Sequence, residues 1–274
     1  MAAGIPKAAV GEIQRSEARS VYGQDPKGYE VGRPEYPDRV YEVLTERCGL
    51  GPGTAVVEIG PGTGLVTRRL VAVGARVVAV EPDPAFASHL ADSMMGTVEI
   101  IGTSFEEAPL ADDRFDLAVA ATSFHWVDQD AGMAKLGRVV RPGGWAALWW
   151  TLFGDPDCPD PFHEATSGLL GQTTSAVDQP GRAIFQLDVS GRRSDLAHRA
   201  RLVDVGAELI PWTSCMDPAQ VRALYASMIA LRRRPQDERE RLLDAVVSIA
   251  TENFGGVVER PFVTALYTGR RPPN

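Results

Sequence analysis

Val56-Val57-Glu58-Ile59-Gly60-Pro61-Gly62-Thr63-Gly64-Leu65 is an apolar run that passes straight into three alternating glycines. Val66, Leu70 and Val73 then recur at the spacing of one helix face, so the segment reads as strand, tight turn and helix in succession. Glycine has no Cβ, which lets backbone approach a ligand closely and leaves the first amides of the helix free to hydrogen-bond it. A dinucleotide fingerprint requires G-x-G-x-x-G, but the sixth position counted from Gly60 is Leu65. The spacing is instead G-x-G-x-G with an acid, Glu58, two positions upstream, which disfavours a dinucleotide oxidoreductase.

Outward from this turn, short apolar runs alternate with amphipathic stretches between about residue 38 and residue 150, the pattern of βαβ units. Ala55 to Ile59, Arg76 to Val80, Val98 to Ile101, Asp116 to Ala121 and Trp145 to Trp150 are predicted strands. Most are continuously apolar, as a mainly parallel sheet covered on both faces demands. Asp83-Pro84 predicts an N-cap followed by proline at the first helical position, and Asp128 caps the next helix. Arg141-Pro142-Gly143-Gly144 predicts the stop before the fifth strand. Beyond Thr151 prolines and glycines interrupt the pattern, and residues 154–206 are predicted to be a lid or substrate insert. Order returns with a strand at Ala207 to Trp212, a helix start at Asp217-Pro218 and a final strand at Phe262 to Arg271. The chain divides into an N-terminal cap segment (1–50), a Rossmann-like core (51–153), the insert (154–206) and a C-terminal completion of the sheet (207–274).

Composition narrows the function classes. The 274 residues are 44% hydrophobic, enough for a substantial core without staples. Cys48, Cys158 and Cys215 are widely spaced, giving neither a disulfide framework nor a metal-ligand pattern, so no metal is expected. A net charge of −8 and a pI near 5.1 argue against a nucleic-acid partner, whose phosphates require a basic surface. Arg232, Arg233 and Arg234 are read as solvated cations near a helix C-terminus. No apolar run is long enough to span a bilayer, and a cytoplasmic protein is expected. His163 and His198 are read as surface residues, and Trp150 as a core residue of its strand, whereas Trp126 and Trp149 suit core or pocket wall.

The series Glu58, Gly60, Gly62, Gly64 resembles the first motif, E/D-x-G-x-G-x-G, of the class I S-adenosylmethionine-dependent methyltransferases. Tyr29 with Arg33-Pro34-Glu35-Tyr36-Pro37, and Ala121-Thr122-Ser123-Phe124-His125-Trp126, look like the type 11 subgroup that includes trans-aconitate methyltransferase-like proteins. The resemblance covers most of the chain, weakly at 154–206. It implies a Rossmann-like fold: a seven-stranded, mostly parallel sheet with helices on both faces and the last strand antiparallel. It also implies S-adenosylmethionine as cofactor, held by the turn from Gly60 through Pro61, Gly62 and Thr63 to Gly64. Glu81, with Pro82 beside it, would accept both ribose hydroxyls. Ser104 and Phe105 would border the adenine, and Ala121 and Thr122 the methionine portion. Tyr29 and Arg33 would lie over the cofactor, Arg33 pairing with its carboxylate.

The implied reaction is methyl transfer to an oxygen, nitrogen or carbon of a small molecule by in-line displacement. The departing thioether is neutral, so positioning dominates and a base matters only where the nucleophile must lose a proton. His125 is the candidate catalytic base, being the only histidine expected near the cofactor end of the sheet; holding substrate or orienting its loop is the other reading. A carboxyl methyltransferase of a small organic acid, and a cofactor-binding protein without transfer activity, are the alternatives.

Overall fold

The computed structural model describes residues 25–170 and 184–274; the parts of the cap segment at 1–24 and of the insert at 171–183 lie outside the described residues. Two helices, α1 (Pro26–Gly32) and α2 (Asp38–Glu46), precede the core. Then come β1 (Ala55–Ile59), α3 (Leu65–Ala72), β2 (Arg76–Val80), α4 (Pro84–Met94), β3 (Glu99–Ile101), β4 (Phe115–Ala121), α5 (Gln129–Val139) and β5 (Val140–Leu152). The C-terminal half carries α6 (Pro161–Leu170), α7 (Val189–Ser194), β6 (Val203–Met216), α8 (Pro218–Ala226), α9 (Ile229–Arg232), α10 (Gln236–Glu252) and β7 (Val258–Arg270).

The strands form one seven-stranded sheet in the order β3-β2-β1-β4-β5-β7-β6. β1 to β5 pair in parallel, and β7 is antiparallel to both of its neighbours. The last strand in sequence is thus the antiparallel one, wedged between β5 and β6 and not placed at the edge. Parallel strands buried on both faces explain the continuous apolar runs: in β1 every residue after Ala55 is buried. One face packs Val57, Ala118, Leu136 and Trp150 with Leu196 and Leu202; the other packs Val56, Val77 and Trp149 with Leu44, Leu70 and Leu90.

Local signals place the helix starts. Asp83 accepts from the amides of Ala85 and Phe86, Asp128 from those of Asp130 and Ala131, and Asp217 forms a capping box with Gln220. The predicted stop at 141–144 differs: β5 begins at Val140, and these residues loop out between the pairs Phe115↔Val140 and Leu117↔Trp145. Gly143, at φ +78°, donates to Arg271 O, and Arg271 donates back to Gly144 O, so the loop is knitted to the chain's end.

β6 and β7 are longer than their apolar runs suggest. Their far ends, Met216, Val258 and Phe262, enter a helical layer with Phe162, Val221, Leu224, Tyr225 and Val246 from α6, α8 and α10. The described parts of the insert go to two places, α6 into that layer and residues 184–202 onto the sheet. Among the described residues no helix is long and apolar enough to cross a membrane.

Candidate functional site

The carboxyl ends of β1, β2 and β4 open into a cleft of about 780 Å³ roofed by α1 and the helical layer. Glu58 closes β1, is 1% exposed and accepts a 2.7 Å hydrogen bond from Thr67 Oγ1 of α3. Burial pushes its carboxyl up to about 7, with the Thr67 bond acting against that shift and the nearby Glu81 charge adding to it. Glu81 ends β2 and is also buried, with both oxygens held by backbone. Oε2 accepts from Gly62 N at 2.9 Å and Oε1 from Asp83 N at 3.0 Å.

The glycine turn makes these contacts because its backbone is left-handed. At Gly62, φ is +58° and an added Cβ would meet no atom of the described residues within 4 Å, on the wall of the cleft. At Gly60, φ is +67° and a Cβ would lie 2.6 Å from Ser123 Cβ. Pro61, Thr63 and Pro82 line the same wall. Gly64, at φ +84°, precedes α3 directly.

Ser104 and Phe105, after β3, line the cleft beside the acid wall; Phe105 is 2% exposed, 6.3 Å from the Phe124 ring. Ala121 and Thr122 line it at the end of β4. Thr122 holds φ +52°, unusual for a β-branched residue, and is fixed by its N–H to Trp149 O at 2.7 Å and by Tyr36 OH at 3.0 Å from its Oγ1. Burial drives the Tyr36 phenol far above its ordinary range, so it stays protonated.

α1 brings Tyr29 over the turn, its ring edge-on to Phe86 at 5.5 Å. The Arg33 guanidinium lies between the rings of Tyr29 and Phe153, 4.7 Å from each, and among the described residues its buried Nε has no hydrogen-bond partner. Glu30 ties the helix down, pairing with Arg68 at 2.7 Å and with His89 at 3.0 Å. His125 lines the cleft; its Nδ1 is 3.0 Å from Trp150 Nε1 and its ring 4.7 Å from that of Trp126.

The structure corrects two histidine readings. His163 is half-buried and lines the cleft, because Asp160 caps the first turn of α6 through His163 N and turns that helix end toward the site. His125 therefore is not the only histidine there. His198 is exposed, as expected. Arg233, read as a solvated cation, also lines the cleft, while Arg234 pairs with Glu238.

Several lining residues escaped the sequence reading as site residues: Tyr36, Phe153, Gln186, Tyr225 and Arg260. Arg260 is 2% exposed, bonds Asp160 through Nε at 2.8 Å and donates to Phe153 O at 3.1 Å. A buried arginine inside a strand otherwise alternating with apolar residues was the available signal. Among the described residues, the acids lining the cleft are Glu58, Glu81, Asp83 and Glu106, by the glycine turn and the β3 loop. Arg33, Arg233 and Arg260 line the remainder, toward the helical layer.

Residues 57–148 match the family model described as a methyltransferase domain. The chain is 29% identical over 248 residues to an uncharacterised methyltransferase of Mycobacterium tuberculosis (strain ATCC 25618 / H37Rv), covering 89% of this chain and 92% of that one. Its fold is similar to a chain from Anaeromyxobacter dehalogenans described as a type II methyltransferase, with TM-score 0.62 and 23% identity, covering 88% and 99% of the two chains. It is also similar to phosphoethanolamine N-methyltransferase 2 of Haemonchus contortus, solved with phosphomonomethylethanolamine and S-adenosylhomocysteine. There the TM-score is 0.54 at 13% identity, covering 92% of this chain and 57% of that one.

Proposed function

We propose that this chain, a class I S-adenosylmethionine-dependent methyltransferase, carries the methyl group to a small molecule seated in the arginine-lined half of its cleft. The observation that carries this is a single cleft lined by Glu58, Glu81, Asp83 and Glu106 around the glycine turn and the β3 loop and by Arg33, Arg233 and Arg260 elsewhere, with Arg260 in an ion pair with buried Asp160. The residues fit the cofactor: the open side of Gly62 leaves room for a ligand against backbone, and Arg33 Nε is buried with no partner.

When bound, S-adenosylmethionine supplies a methyl group on a sulfonium whose leaving group is neutral. The protein's own work is to orient and to exclude water. Glu81, pinned by two backbone amides, would present its carboxylate to a vicinal diol with its geometry set before binding. Arg33, stacked between two rings, offers a planar fork of donors to a carboxylate. The basic half favours a second, narrower reading, an acceptor that is itself a carboxylate and is ionised without help at neutral pH.

Calorimetry with S-adenosylhomocysteine tests the cofactor site. Glu81→Gln is expected to weaken binding by about 1.5–3 kcal/mol, because an amide nitrogen must face a backbone N–H where an oxygen now accepts. Absence of binding to folded wild-type protein sinks the function, and unchanged affinity in the variant sinks the role of Glu81. Labelled-methyl transfer to a panel of small carboxylic acids, phenols and amines tests the acceptor class, with the acids expected to react.

A further inference from the structure

We propose that Trp150 holds His125 in the tautomer whose proton sits on Nε2, so that this histidine meets the methyl acceptor as a hydrogen-bond donor and takes no proton from it. The inference rests on the reading of the cleft as a methyl-transfer site.

An indole nitrogen can only donate, and Trp150 Nε1 lies 3.0 Å from His125 Nδ1. Nδ1 must therefore be the ring's lone-pair nitrogen, and in a neutral imidazole the single proton is then on Nε2. That ring has no basic nitrogen left to offer a substrate. Protonating it would place an N–H at Nδ1 against the indole N–H, so the pairing also opposes the imidazolium.

The indole cannot easily turn away. Trp150 is 1% exposed near the carboxyl end of β5, with the rings of Phe185 and Tyr267 edge-on at 5.7 and 6.1 Å. Tyr267 is in turn fixed by its hydroxyl donating to Gln186 O at 2.6 Å. Trp150 is thus a positioning residue, acting on the acceptor through His125. The acceptor it selects arrives with its nucleophilic lone pair already exposed and a second oxygen able to accept from Nε2–H. A carboxylate meets both conditions, and an alcohol that needs deprotonation does not.

Nitrogen NMR of histidine-labelled protein with S-adenosylhomocysteine decides the tautomer, with His125→Gln identifying the signals. The expected result is a pyridine-like Nδ1 and a pyrrole-like Nε2 near neutral pH, giving way to mixed tautomers in Trp150→Phe. A pyrrole-like Nδ1 in the wild type, or an imidazolium, overturns the proposal whether or not the Phe variant folds. In transfer assays with citrate, succinate and benzoate as acceptors, His125→Gln, whose amide can donate from the position of Nε2, should keep kcat. His125→Ala should raise KM by about tenfold, one hydrogen bond to a charged oxygen. Equal loss of kcat in both variants identifies a base and overturns it too. Should none of these acids be methylated, the carboxylate reading of the acceptor fails while the tautomer measurement still stands.

Discussion

Glu58 lies at the end of β1 in surroundings that suit its protonated form, and the consequence is a pH-dependent stability of definite sign. Its folded pKa, pushed up to about 7, exceeds the ordinary value of a glutamate in the unfolded chain, about 4.3. Between these values the unfolded chain gives up the proton that the folded protein keeps. Its stabilising contribution is therefore complete below about pH 4, declines as pH rises and is lost above about pH 7. The magnitude is on the order of 3 kcal/mol. Urea unfolding at pH 5 and pH 8 should show Glu58→Gln gaining on the wild type at the higher pH. A difference between the two proteins that does not change with pH would mean Glu58 is ionised throughout.

At the scale of the element, the turn between β1 and α3 separates two duties that its glycines share in sequence. Gly60 is close-packed, so Gly60→Ala pushes a methyl to within 2.6 Å of Ser123 Cβ and disturbs the hydroxyl that donates to Ile59 O. Overpacking of this kind costs about 1–3 kcal/mol, and a lowered Tm is expected. Gly62→Ala meets no protein atom, so its fold cost is the left-handed backbone alone, about 1–2 kcal/mol. On the proposed cofactor site its methyl would project toward the ligand, and S-adenosylhomocysteine binding is expected to fall more than tenfold. Thermal melts and calorimetry on the pair check this; loss of binding in Gly60→Ala alone would reverse the assignment.

Across the whole molecule, α1 bridges the core helices α3 and α4 to the helical layer. Glu30 reaches Arg68 of α3 and His89 of α4, while Gly32 packs against the backbone of α8 at Ala223 and Leu224, where a Cβ would meet it at 2.4 Å. Roof and floor of the cleft are coupled through this one short helix. Hydrogen exchange should therefore show S-adenosylhomocysteine protecting α1, the second half of α8 and residues 184–202 together with the glycine turn. Glu30→Ala removes half-exposed pairs worth about 1 kcal/mol at most, so it should leave Tm nearly unchanged and spread less protection to α1. Protection confined to the glycine turn would count against closure over the cofactor.

The sequence by itself determined what depends on neighbours within a few residues. The strand before Gly60, the left-handed turn, the aspartate caps at 83, 128 and 217 and the parallel core strands were all legible, because periodicity, missing Cβ atoms and capping oxygens act locally. That Glu58, Glu81 and the glycines line one cleft was legible for the same reason: they fall at the ends of adjacent strands. The ends of β6 and β7 were not, because the two strands set each other's length by pairing across the sheet, out to Met216↔Val258. Nor were His163, Arg260 or Phe153, which reach the cleft only through the helical layer, or the Tyr36 bond to Thr122, which spans 86 positions of sequence. The proton on His125 belongs to this second kind. Sequence offered an imidazole at the end of β4 and hence a base; only tertiary packing put an indole N–H from β5 against its Nδ1 and left the other nitrogen to donate.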